Sequence, residues 1–121
     1  MTLYQDQILD HYRNPRNYGS LDHATHQANA LNPTCGDSLH MDIAVQNGTI
    51  SDVRFTGSGC AISQASASLL TEEVRGKLVA DALALEPTTV LKLLGVPLSP
   101  NRMKCGLLSL ETLHKTLTHK Q

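Results

Sequence analysis

Three cysteines and one aspartate are the residues of this sequence that could bind a metal or act as nucleophiles. Cys35 and Asp37 lie two residues apart in Asn32-Pro33-Thr34-Cys35-Gly36-Asp37. The Asn-Pro pair favours a turn, and Gly36 lets the backbone bend so that a thiol and a carboxylate can reach one point. Zinc accepts both ligand types. The triplet alone fits a buried loop cysteine beside a turn aspartate equally well, so a metal site needs further ligands.

Cys60 and Cys105 are the other two cysteines. Cys60 follows Thr56-Gly57-Ser58-Gly59, and Cys105 follows Arg102 and Lys104. Three cysteines cannot all form disulfides within one chain, and a reducing compartment would keep them as thiols. Three free thiols in a chain of this size favour metal or thiol chemistry over cross-links.

Length, composition and charge limit the classes of protein to consider. The 121 residues fit one domain, 1–121, with a single core. Only 3% of the residues are aromatic, so the core must be built mainly from Leu, Ile, Val and Ala. A net charge of -1 argues against a nucleic-acid partner or an anionic membrane surface.

The sequence also argues against a membrane span or a targeting segment. It has no run of about 18 apolar residues. Its N-terminus lacks the basic start and apolar core of a secretory signal, and its acidic residues argue against a transit peptide. We therefore expect a cytoplasmic protein.

The first half of the chain predicts one helix and a β-hairpin. Apolar spacing predicts a helix over 3–12, and residues 20–31 read as a loop leading into an edge strand. Alternation from Leu39 to Gln46 predicts a half-buried strand, and Asn47-Gly48 predicts a type I′ turn. The apolar phase of the return strand changes parity, which predicts a β-bulge near Ser51-Asp52.

The second half predicts helices. An apolar stripe indicates a helix over 61–75 that is closed by Gly76, and two short helical pieces are expected over 81–85 and 88–94. Ser99-Pro100 fits the N-cap and first residue of a last helix. The fold class is therefore α+β, a small antiparallel three-stranded sheet covered on one face by helices.

This arrangement predicts where the four chemical residues meet. A hairpin brings the loop before its first strand (Cys35, Asp37) and the loop after its second strand (Cys60) to the same end of the sheet. Cys105 joins them if the last helix packs with its N-terminus toward that end. Helix N-termini lower the pKa of nearby thiols. Three sulfurs and one oxygen make a closed zinc set, and thiolate-rich sites also suit iron–sulfur clusters.

A non-functional interpretation of the cysteines stays open beside the metal site, and the histidines are not predicted to belong to it. The cysteines could simply fill space, although loop positions beside Asp37 and between glycines argue against this. The histidines are predicted to be solvated on polar faces (His11, His40, His114, His119) or in an undetermined segment away from the site (His23, His26).

The same stretches carry a resemblance to a known family. They are Asp10-His11-Tyr12-Arg13-Asn14-Pro15-Arg16-Asn17-Tyr18-Gly19, Asn32–Asp37, Phe55–Ser63 and Lys104-Cys105. In this order they resemble the U-type iron–sulfur assembly scaffolds: IscU, SufU and the N-terminal domain of NifU. The resemblance implies a small antiparallel sheet with helices on one side.

The resemblance also implies a site, cofactors and partners. It implies that Cys35, Cys60 and Cys105 are the functional cysteines and that Asp37 is the fourth site residue. The site would hold Zn²⁺ in a resting form, or iron or a [2Fe–2S] cluster. It implies a cysteine desulfurase (SufS- or IscS-like) that delivers sulfur as a persulfide, and apo iron–sulfur proteins that accept the product. Cys35 is expected to take the sulfur, with Cys105 as the other candidate.

Departures from the family pattern bear on the branch. IscU-like scaffolds carry a histidine where this chain has Lys104, and a Leu-Pro-Pro-Val-Lys chaperone-docking sequence where this chain has 98–102. Both departures argue against a dedicated chaperone. The 58–63 and 100–105 segments look more like SufU, although the 44 residues between Cys60 and Cys105 match the shorter scaffold spacing. Our interpretation favours the SufU-like branch.

The sequence therefore predicts an iron–sulfur assembly protein that acts as a sulfur carrier or cluster scaffold. It would not be a free-standing enzyme, and at most a zinc-dependent sulfurtransferase working with a desulfurase. Two other hypotheses are a purely structural zinc module and a cysteine-dependent hydrolase. The hydrolase requires a histidine within hydrogen-bond reach of a thiol.

Overall fold

The computed structural model describes residues 3–34 and 36–119 and shows an α+β fold. Three strands pair antiparallel in the order β1-β2-β3. The elements in chain order are α1 (Leu3–Arg13), β1 (His26–Asn32), β2 (Asp37–Gln46), β3 (Thr49–Ser58), α2 (Ala61–Val74), α3 (Val79–Leu83), α4 (Pro87–Leu94) and α5 (Pro100–Leu117). The predicted fold class and edge strand are confirmed.

The β2–β3 hairpin has the predicted turn and bulge. Asn47 and Gly48 both have positive φ (54° and 75°), as a type I′ turn requires. The register shifts between Ala44 and Val45, so that Ser51 is the extra residue. The pairs beyond the turn are those that the parity change predicts: Val45 with Ile50, Ile43 with Val53, and Met41 with Phe55. The bulge thereby keeps these three apolar pairs on one face.

The inward face of the sheet forms the core with α2 and α5. Its central side chains are at most 2% exposed: Leu39, Met41, Ile43, Val53 and Phe55. Ser66 of α2 donates to the Gly106 carbonyl of α5 at 2.6 Å, and its Oγ lies 2.7 Å from that of Ser109. Because serine and glycine are small, the two helices approach closely, and this fixes α5 against α2.

The helix boundaries follow the expected caps with small shifts. Ser99 is the N-cap of α5, and its side chain accepts from the Arg102 N–H. Gly76 follows the C-cap of α2 with φ 89°, but its N–H donates to the Ile50 carbonyl of β3 instead of a helix carbonyl. The predicted pieces 81–85 and 88–94 are α3 and α4. Pro87 is the first residue of α4, where its missing N–H costs no helix bond.

The prediction that His11 is solvated is wrong. His11 is 4% exposed, because α1 packs this face onto α2. Its Nδ1 lies 2.7 Å from Ser68 Oγ, which also accepts the Arg16 N–H at 2.9 Å. His40 and His114 are half-buried and hydrogen-bonded, so they too differ from the prediction, whereas His119 is exposed as expected.

Within residues 3–34 and 36–119, no helix is both long enough and apolar enough to cross a membrane.

The buried His11 predicts a pH-dependent stability. Burial is the main cause that lowers the pKa of His11, and the Arg16 charge adds to it, while Glu72 and Asp10 oppose the shift. The unfolded chain then takes up this proton first as the pH falls below about 6.5. The contribution of neutral His11 to the free energy of unfolding is therefore complete above that pH and is lost as the pH falls through the folded-state pKa.

We expect urea unfolding of His11→Gln to depend less on pH between 7.5 and 5 than unfolding of the unsubstituted chain. His119→Gln removes an exposed histidine and should keep the original dependence. Parallel pH dependences in the unsubstituted chain and His11→Gln would contradict this assignment.

Candidate metal centre

Asp37, Cys60 and Cys105 converge at one end of the sheet. One carboxylate oxygen and the two sulfurs all lie within 4.8 Å of one another. Asp37 is the first residue of β2, Cys60 is the N-cap of α2, and Cys105 lies in the second turn of α5. In the described part of the chain, this is the one group of three or more His, Cys, Asp or Glu side chains with such spacing.

The hairpin register places Asp37 against Cys60. Ser38 pairs with Ser58. Asp37, just before Ser38, therefore lies beside the residues that follow Ser58. The Cys60 N–H donates to Asp37 Oδ1 at 2.8 Å, and the Cys60 Sγ lies 3.5 Å from Asp37 Oδ2. One carboxylate oxygen is therefore held by the backbone, while the other faces the thiol.

Cys105 reaches the site through the docking of α5. The thiol donates to the Asn101 carbonyl within the helix at 3.6 Å, and the residue is 2% exposed. The next residue, Gly106, is the one whose carbonyl accepts from Ser66 of α2. The contact that holds the two helices together therefore also sets the position of Cys105.

The site combines a buried carboxylate with a helix N-terminus. Cys60 is the N-cap of α2, and its side chain makes no hydrogen bond to the N–H groups of the first turn. The partial positive charge of the helix N-terminus therefore lies beside Cys60 and Asp37. Asp37 is fully buried, and a buried carboxylate is costly unless it is paired and hydrogen-bonded. Arg102 and Lys104 lie on the exposed side of α5, where solvent weakens their contribution.

Ser63 is a neighbour of the site that the sequence reasoning missed. Its hydroxyl lies 3.9 Å from the Cys60 Sγ, donates to the Cys60 carbonyl at 3.1 Å and accepts from the Gln64 amide at 3.1 Å. Its place three residues after an N-cap was the available signal, since that position faces the cap. The helical periodicity alone marked it only as a small residue.

The donor set fits a thiophilic metal. A tetrahedral zinc site with Zn–S bonds of about 2.3 Å separates its sulfurs by about 3.8 Å, and the ligand atoms here lie within 4.8 Å. Two sulfurs and one oxygen leave one position for a further ligand. Cys35, the expected fourth ligand and sulfur acceptor, lies outside the described residues, so its role stays a prediction.

The group consists of one carboxylate and two thiols. No histidine among residues 3–34 and 36–119 belongs to the group that Asp37, Cys60 and Cys105 form. A Cys–His pair requires a histidine at hydrogen-bond distance from the nucleophile.

Comparisons with known proteins give one consistent result. The family described as NifU-like N terminal domain matches residues 3–120. The chain is 34% identical to the zinc-dependent sulfurtransferase SufU of Bacillus subtilis, over 99% of this chain and 92% of that protein. It is 42% identical to the iron–sulfur cluster assembly scaffold protein IscU of Aquifex aeolicus, over 92% of this chain and 71% of that protein.

A solved structure agrees with these relatives. The fold matches the crystal structure of a putative iron–sulfur cluster assembly scaffold protein for the SUF system from Fervidobacterium islandicum, with a TM-score of 0.77 and 26% identity. The match covers 97% of this chain and 96% of that one. The alignment to SufU of Bacillus subtilis runs over 137 positions, more than this chain has residues, so that relative has residues with no counterpart here.

The two buried carboxylates of β2 provide a test of the metal centre. Asp37 lies in the cluster, whereas Asp42 accepts from the Leu21 N–H and contacts His40 away from it. We expect Asp37→Asn to lower zinc affinity by more than the roughly 10–100-fold that loss of an outer-shell partner costs. Asp42→Asn should leave zinc affinity unchanged.

Zinc affinity would be measured by competition with a chromogenic chelator after both variants are shown to fold. Equal losses in the two variants would show that Asp37 acts on the fold and is not a ligand.

Proposed function

The chain belongs to the family of NifU-like N-terminal domains, and on this premise we propose that it accepts persulfide sulfur and assembles iron–sulfur clusters. The family and the relatives named SufU and IscU place the chain among iron–sulfur assembly and sulfur-transfer proteins. The observation that carries the finer proposal is the convergence of Asp37, Cys60 and Cys105 at the N-terminus of α2.

The proposed ligand set is Cys35, Asp37, Cys60 and Cys105. Zinc, when bound, would keep the thiols deprotonated and add binding free energy to the folded state. The protein holds two of the thiols and the carboxylate on regular elements, β2, α2 and α5. Iron and sulfide would be cargo at the same residues in a scaffold role.

The proposed sulfur transfer starts at Cys35. Its thiolate attacks the outer sulfur of the persulfide on a cysteine desulfurase. A new S–S bond forms on Cys35, the old S–S bond breaks, and the desulfurase cysteine leaves as a thiolate. Thr34 and Gly36 on either side are exposed, whereas Cys105 is 2% exposed. The accessibility of these neighbours supports Cys35 over Cys105 as the acceptor.

Within the family, we propose the sulfur-acceptor role first and the scaffold role second. Lys104 stands beside Cys105 where an IscU-like scaffold has a histidine, so a neutral imidazole ligand is missing at that position. The similarity to IscU of Aquifex aeolicus keeps the scaffold role as the second candidate. Apo iron–sulfur proteins are the proposed recipients in either case.

The site of persulfide formation can be located directly. After incubation with a SufS- or IscS-like desulfurase and free cysteine, we expect one added sulfur atom on Cys35, detected by alkylation and peptide mass spectrometry. Cys35→Ser should remove this label. A label on Cys105 in the unsubstituted chain would contradict the assignment, and absence of any persulfide would leave only a structural metal module.

Desulfurase turnover distinguishes the two roles. We expect the zinc-loaded protein to raise the rate of alanine release several-fold, because a bound acceptor removes sulfur from the desulfurase. The control is chelator-treated protein to which zinc is added back, and this protein should raise the rate of alanine release again. A chromophore that survives anaerobic isolation and moves to an apo-acceptor, without stimulation by the zinc form, would favour the scaffold role instead.

A further inference from the structure

Gly59 makes a contact with Asp37 that no residue with a side chain could make. A methyl group on Gly59 would lie 2.7 Å from Asp37 Cγ and 2.9 Å from Asp37 Cα, and closer still to Oδ1. Carbon atoms do not approach to these distances without displacement. The carboxylate therefore occupies the space that a side chain at position 59 would fill.

Cys60, the residue after Gly59, also contacts the Asp37 carboxylate. The Cys60 N–H holds Asp37 Oδ1 at 2.8 Å, which leaves Oδ2 facing the Cys60 Sγ at 3.5 Å. The two oxygens thus have different surroundings, one against the backbone of the turn and one toward the thiols. A carboxylate fixed in this way presents a single oxygen to the cluster.

We propose that Gly59 is a positioning residue that fixes Asp37 as a one-oxygen ligand. This inference rests on the proposed function, in which Asp37 binds the metal. Gly59 leaves room for the carboxylate, and the hydrogen bond from Cys60 selects its orientation. Outer-shell partners of this kind orient a ligand before the metal arrives, so their loss weakens binding without removing a donor atom.

Backbone conformation is not the only reason for a glycine at position 59. Gly19 has a similar φ but no close contact, so comparing the two separates the backbone effect from the contact. Gly59 has φ 138° and Gly19 has φ 134°, so both positions disfavour a side chain on backbone grounds. A methyl group on Gly19 would meet nothing within 4 Å. Alanine at either position carries the same backbone strain, but only at Gly59 does it displace the carboxylate.

The first test measures zinc affinity in a double-mutant cycle. We expect Gly59→Ala to lower zinc affinity about 10–100-fold, the range found for outer-shell partners. Gly19→Ala should change zinc affinity by less than about twofold, although the strain at this φ also destabilises the folded state of that variant. In an Asp37→Ala background, Gly59→Ala should cost less affinity than in the unsubstituted chain, because the carboxylate is gone and only the close contact with the Cα of residue 37 is left.

The second test needs no metal. In zinc-free protein, the amide proton of Cys60 should show the downfield NMR shift and slow exchange of a hydrogen bond to a carboxylate. Both features should be lost in Gly59→Ala and Asp37→Ala and kept in Gly19→Ala. An unchanged Cys60 amide in Gly59→Ala would overturn the inference, as would equal affinity losses with and without the Asp37 carboxylate.

The two tests separate this inference from the proposed function. If the unsubstituted chain binds no zinc but the Cys60 amide behaves as expected, the proposed function fails and the positioning role stands. If Gly59→Ala does not fold, its folding in the Asp37→Ala background decides. Recovery there supports a clash with the carboxylate. Failure in both backgrounds would place the clash at the backbone of residue 37, 2.9 Å away, and would overturn the inference.

Discussion

The antiparallel pairing of β2 with β3 is the constraint on which the site depends. Its register places Asp37 beside the turn that ends at Cys60, 23 residues later, where the Cys60 N–H donates to the Asp37 carboxylate. The bulge at Ser51 matters for the same reason. Without the extra residue, Val53 and Phe55 would turn to the other face, and the strand could not cover the core and place Gly59 against Asp37 at once.

A second contact, between α2 and α5, adds the other thiol. Ser66 bonds to the Gly106 carbonyl, so two helices distant in sequence are joined one residue away from Cys105. The seam contains buried hydroxyls that satisfy one another or a helix carbonyl, and such satisfied groups restrict the way in which two helices can pack. The position of the Cys105 thiol thus follows from packing that involves no ligand atom.

These two contacts give the site its chemical character. A buried carboxylate and two thiols meet at a helix N-terminus, which carries a partial positive charge. Ser63 and Gln64 extend this set by hydrogen bonds to the Cys60 carbonyl and to each other. The protein thereby holds soft sulfur donors and a hard oxygen donor close together, which suits zinc and iron and fits the relatives that this chain resembles.

Local patterns in the sequence predict the hairpin with its bulge, the Ser99 cap of α5 and, through the hairpin, the meeting of Asp37 with Cys60. Strand alternation, the Asn47-Gly48 turn and the Ser99 cap act between close neighbours, so their outcome can be read from local pattern. The three-dimensional structure is needed to show that His11 is buried against Ser68, that Cys105 joins the cluster and that Gly59 makes room for a carboxylate. The first two contacts depend on how whole helices dock, and the third depends on atomic distances that the strand register alone does not specify.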